Sequence, residues 1–116
     1  MRSESLLIKA LHAEIVTADR LCQQGAFQAA FCHLERAHVL GQSSTYQHTQ
    51  VHWRMLKVAI KLRSLGEIWG QVIRIIGAAT KTPFGVYPKG NTGGANIWFF
   101  KPLPVPEDLK LILEKD

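Results

Sequence analysis

No apolar run in the 116 residues approaches the roughly 18 needed to cross a bilayer. Glu4 and Lys9 interrupt what would have to be a signal-peptide core, so a soluble, unexported, cytoplasmic protein is expected. Cysteine is scarce: Cys22 and Cys32 have neither metal-ligand nor redox-motif spacing and read as two reduced small hydrophobes. No serine or cysteine stands in a nucleophile elbow. The charge excess is modest, 14 Lys+Arg against 9 Asp+Glu. The basic stripe of Arg54, Lys57 and Lys61 is interleaved with neutral polar residues and reads as a solvated face, so nucleic acid is an unlikely partner. Proline is absent before Pro83, and all five prolines fall within residues 83–106.

With 47% hydrophobic residues the chain can build a core without disulfides or a structural metal. Leu7, Leu11, Ile15, Ala18 and Leu21 recur at helical spacing up to a turn at Gly25. Phe27, Ala30, Phe31, Leu34 and Ala37 make a second helix, ended by Gly41 as a left-handed cap. Ser44 and Gln47 have the form of a capping box and open a third helix carrying Val51, Met55, Val58, Ala59 and Leu62. Gly66 is read as the next turn. A fourth helix, from Ile68 to about Thr80, is apolar on more than one face. The expected architecture is all-α: a four-helix bundle of two stacked hairpins over residues 1–81. Residues 82–116 form a Pro/Gly-rich strap and a short terminal helix packed on the same domain. Trp69, Ile73 and Ile76 exceed what one bundle can bury. A homodimer through helix four and the strap aromatics, or a protein partner there, is the expected consequence.

The chemistry concentrates in two helical pairs. Glu35 and His38 at i, i+3, and His48 and His52 at i, i+4, each place two donors on one helix face. Antiparallel packing brings His48 level with His38, and all three histidines continue apolar stripes that point inward. Glu14 extends the inward stripe of helix one, which ranks it with Glu35 above His12 and His33. These residues predict a divalent metal, such as zinc, iron, manganese or nickel, held by Glu35, His38, His48 and His52 with Glu14 as an added carboxylate. The alternative is a purely structural His/Glu network in a helical-hairpin module that binds a protein or itself. Thr49 stands where a zinc protease of the His-Glu-x-x-His type has its general base, and helix four, begun at Ile68, supplies no carboxylate for a di-iron bundle. Catalysis is therefore not the leading expectation. Gly90-Asn91-Thr92-Gly93 lacks phosphate-loop spacing and reads as a structural turn.

Two resemblances add to this. Ala18, Leu21, Gly25, Phe27, Ala30, Leu34 and Ala37 make the first hairpin similar to a tetratricopeptide unit, although the second hairpin is out of step with that repeat. The stretch His33-Leu34-Glu35-Arg36-Ala37-His38-Val39-Leu40-Gly41-Gln42, then His48 to Trp53 with Met55-Leu56, then Gly90 to Gly93 and Lys101-Pro102 to Pro106, resembles a family of small bacterial proteins of uncharacterised function. That resemblance implies a grouping and carries no activity with it.

Overall fold

The computed structural model describes residues 5–82, 88–95, 97 and 101–115. Five α-helices follow in order: α1 (Leu6–Gln23), α2 (Phe27–Gly41), α3 (Thr45–Leu62), α4 (Leu65–Lys81) and α5 (Glu107–Lys115). The all-α reading with two helical hairpins holds, and no strand occurs among the described residues.

The helix ends follow from local hydrogen bonding. Ser5 caps α1 by accepting from the Ile8 amide at 3.1 Å. Gly25, at φ +77°, closes α1 as Ala26 N–H reaches Leu21 O and Gly25 N–H reaches Cys22 O, the paired bonds of a Schellman turn. Gly41 serves a different purpose from the expected left-handed cap. It stays in α2, and a side chain there would press on Gln47 Cβ at 3.1 Å, so glycine lets the end of α2 lie against the first turn of α3. Ser44 caps α3 through the Gln47 amide. The next turn is also displaced from its expected place. Arg63 takes the left-handed conformation and Ser64 caps α4, which leaves Gly66 as the second residue of that helix. A side-chain cap and a Schellman pair of bonds, Ser64 N–H to Ala59 O and Arg63 N–H to Ile60 O, suffice to make this turn without glycine.

Sequence neighbours are neighbours in space: α1 packs on α2, α2 on α3 and α3 on α4, while α5 lies against α1 and α2. The core is built around α2, where Ala30 and Ala37 are fully buried and their small side chains permit close approach on both sides. Leu11, Leu34, Leu40, Val51, Met55 and Leu109 fill the remainder. Glu14 accepts from Arg36 Nε at 2.8 Å, and Arg36 also donates to Asp108, which ties α1, α2 and α5 together at their rim. The strap aromatics Trp98, Phe99 and Phe100, expected to cover the core, lie outside the described residues.

Two pieces of the strap region bear directly on the site. Gly90, at φ +84°, packs so tightly that a side chain would overlap the Leu103 carbonyl, and Leu103 N–H donates to Lys89 O. Gln42, buried at the end of α2, holds this loop with both ends of its amide: Nε2 donates to Pro88 O at 2.8 Å, and Oε1 accepts from Gly90 N–H at 2.9 Å. The Gly90–Gly93 loop is thereby laid over the ends of α2 and α3.

A candidate metal centre of three buried histidines

His38 from α2 and His48 and His52 from α3 meet in the interior, all three buried. His38 Nε2 lies 3.0 Å from His52 Nε2 and 3.0 Å from His48 Nε2, with ring centroids 4.5–4.9 Å apart. The i, i+4 spacing on α3 stacks His48 and His52 on one face, and the antiparallel register brings His38 between them.

Each Nδ1 faces outward to an oxygen. His38 Nδ1 meets Asn91 O at 2.6 Å, His52 Nδ1 meets Gln71 Oε1 at 2.6 Å, and His48 Nδ1 meets Thr82 Oγ1 at 2.8 Å. The first two partners determine tautomers. A carbonyl oxygen only accepts, so His38 carries its proton on Nδ1. Gln71 Nε2 donates to Glu67 Oε2 at 2.9 Å and to Gly93 O at 2.7 Å, both acceptors, which fixes its amide with Oε1 toward His52. His52 is therefore also protonated on Nδ1. Two bare Nε2 atoms then confront each other across 3.0 Å with no hydrogen between them.

A shared proton is an expensive remedy in this place. Burial pushes His48 down to about 4. Burial and the charge of His48 push His52 down to about 3, against the hydrogen bond it donates to Gln71 Oε1, which pulls it up. His38 is held well below the ordinary imidazole value by burial first and by its two neighbours next. Arg74, buried and donating to Gly70 O and Ile97 O, adds its positive charge to the same effect on His38 and His52. All three rings are neutral near pH 7, the form in which imidazole ligates metals.

The two carboxylates predicted for the site sit elsewhere. Glu14 engages one oxygen with His33 Nδ1 at 2.7 Å and the other with Arg36. Glu35 is half-buried at a small cavity it shares with Phe31, Leu62 and Glu67, outside the histidine cluster. Burial raises its pKa, the Thr92 side chain pulls it down, and the charge of Glu67 raises it further. Conversely, helix four does carry a carboxylate, Glu67, because α4 begins one turn earlier than its apolar stripe suggests. Glu67 accepts from Gln71 and from Ala95 N–H at 2.8 Å, so a Glu67–Gln71–His52 chain orients the last ring.

Asn91, Gln71 and Thr82 are the site residues that sequence reasoning missed. Gln71 had a legible signal, an uncharged amide one turn from Glu67 and Arg74 in a helix that is apolar for most of its length. Asn91 had its glycine neighbours: its side chain donates to Lys101 O at 2.7 Å and accepts from Gly93 N–H at 2.8 Å, which aims its carbonyl at His38. Gly93, at φ +86°, completes the fit, since a Cβ there would stand 2.7–2.9 Å from the His38 ring. The loop read as a structural turn is thus the wall of the centre.

Fold and site together define a class: a small helical-hairpin protein with a buried three-histidine centre that could hold a metal. The chain belongs to DUF3703, a family described as protein of unknown function, whose sequence model matches residues 6–113. No curated protein and no solved structure gives a significant match. No helix among the described residues is long and apolar enough to cross a membrane.

Proposed function

We propose that this protein binds a metal ion through the Nε2 atoms of His38, His48 and His52. The observation that carries the reading is the pair of bare nitrogens 3.0 Å apart, a buried arrangement that neutral tautomers leave unsatisfied and a cation resolves. The rest of the centre supports it. Each Nδ1 has an oxygen partner, the outer-shell arrangement that orients ligating imidazoles and increases their basicity. Cis ligands about 2.05 Å from a metal stand about 2.9 Å apart in an octahedron and about 3.3 Å apart in a tetrahedron, so the two 3.0 Å separations at His38 suit either, and His48 and His52, within 4.8 Å of each other, would close on the bound ion. A nitrogen-only donor set favours zinc, nickel, iron or copper over manganese, which prefers oxygen. Three protein ligands leave coordination positions for a water or small anion. With Glu35 and Glu14 committed elsewhere, the role is holding a metal for storage, transfer or sensing in the cytoplasm.

Metal content of untagged protein by mass spectrometry, with thermal unfolding in zinc, nickel, ferrous iron and copper, tests this. An ion present at 100 times its Kd stabilises by about 2.7 kcal/mol, a melting shift on the order of 10 °C for a domain of this size. A His48→Ala/His52→Ala variant is expected to lose metal and shift, and a variant of the exposed His12 to keep both. Absence of retained metal and of any shift with all four ions would sink the proposal.

A second reading concerns assembly. Leu65, Trp69, Ile73 and Ile76 on α4 are 59–73% exposed, and Trp69, Ile73 and Ile76 follow the alternating four- and three-residue spacing of a helix seam. This favours a homodimer through α4, independent of the metal. Sedimentation equilibrium of the parent and of Trp69→Glu/Ile73→Glu decides it. A monomeric parent at 100 µM or about, well above typical homodimer dissociation constants, removes the reading.

A further inference from the structure

A second concavity shares no residue with the histidine centre. It has a volume of about 350 Å³ and lies between α1 and α3, with α2 beneath. Its floor is apolar, from Phe27 and Leu34 of α2 and Val58 of α3, with the half-buried Cys22 at the α1 side. The rim is cationic. Arg54 is neutralised, donating to Asp19 Oδ1 at 2.7 Å across the groove, whereas Lys57 and Lys61, one turn apart on α3, have no acidic partner among the described residues. The Lys57 charge reaches inside: burial and Asp19 raise the Cys22 pKa, and Lys57 and Arg54 pull it down.

We propose that this groove binds a small amphiphilic carboxylate, its tail on Phe27, Leu34 and Val58 and its carboxylate between Lys57 and Lys61. The volume lies at the lower end of the roughly 300–1,000 Å³ of small-ligand sites. The Asp19–Arg54 bridge ties α1 to α3 across the opening, which favours a small ligand over a partner helix about 10 Å across. A neutral apolar ligand would leave two like charges one helical turn apart without a counter-ion, and an organic cation would meet both of them. A monoanion with an apolar body answers floor and rim together, and its ammonium partners gain strength beside a low-dielectric wall.

Cys22 supplies the readout. In a Cys32→Ser background, alkylation of Cys22 by iodoacetamide, a neutral reagent, is followed with decanoate or decanol added. The expected result is that decanoate slows alkylation at least tenfold, saturating at one molecule per chain, and decanol protects at least tenfold more weakly. The Lys57→Glu/Lys61→Glu variant, altered at exposed positions and folding as the parent does, weakens decanoate at least tenfold. Exposed Cys32 in the unmodified sequence, away from the groove, keeps its rate. The proposal is overturned if millimolar decanoate leaves Cys22 unprotected, if decanol protects equally, or if the lysine reversals change nothing.

Discussion

Adding one methyl group at Gly93 tests whether the loop is the fitted wall of the histidine centre. The new Cβ would stand 2.7, 2.8 and 2.9 Å from Cδ2, Cγ and Nε2 of His38. Those atoms belong to a rigid ring, and the ring has no easy retreat, because its Nδ1 is held by Asn91 O and its Nε2 abuts His48 and His52. Two costs combine. A side chain in the left-handed region, at φ +86°, costs about 1–2 kcal/mol, and overpacking a filled interior costs about 1–3 kcal/mol. Gly93→Ala is thus expected to destabilise by about 2–5 kcal/mol, a large part of the roughly 5–15 kcal/mol typical of a domain. In urea, with a slope of about 1–3 kcal/mol per molar, the midpoint should fall by at least about 0.7 M. The internal control is Gly66→Ala. No atom lies within 4 Å of a Cβ there and the backbone is helical, so the same substitution should be neutral or stabilise by up to about 1 kcal/mol. Equal midpoints for Gly93→Ala and the parent would refute the packing argument, and a destabilised Gly66→Ala would show that the contrast does not arise from local space.

The remaining predictions concern protons and the partners of the rings. In chelator, stability should be full above about pH 6.5 and fall as pH drops below it, because the unfolded histidines then bind protons that the folded ones, at about 4 for His48 and about 3 for His52, do not. By pH 5 these two groups together remove about 4 kcal/mol, with His38 acting in the same direction; urea midpoints independent of pH between 7 and 5 would contradict the buried neutral triad. Metal-loaded protein should unfold at lower pH than the apoprotein, since ligation and protonation compete for the same nitrogens. Gln71→Met should cost about 2–4 kcal/mol by leaving His52 Nδ1–H and Gly93 O without partners, and should weaken metal binding about 10–100-fold. A Gln71→Met variant within about 0.5 kcal/mol of the parent by urea unfolding would show that this amide does not orient His52.

Helix periodicity, the Ser5 and Ser44 caps and the Gly25 turn depend on residues within a few positions of one another, so the sequence by itself determined the five-helix order and the inward faces of His38, His48 and His52. Local signals failed where packing decided. Gly41 and Gly66 both looked like turn residues, yet one serves close approach between helices and the other lies within α4, because capping by Ser64 and the left-handed Arg63 make that turn without glycine. Which polar groups share a site is not a local property at all. Glu35 has the spacing of a ligand and Glu14 continues an inward stripe, but Glu14 is drawn to Arg36 and His33, and Glu35 lies beside a different cavity. Conversely Asn91 and Gln71, 53 and 19 residues from the rings they hold, are joined to them only by the tertiary fold. Tautomers are set by those distant oxygens, so the chemistry of the three nitrogens follows from the packing of α2, α3, α4 and the Gly90–Gly93 loop, whereas helix periodicity alone determined that the rings would point inward to be packed.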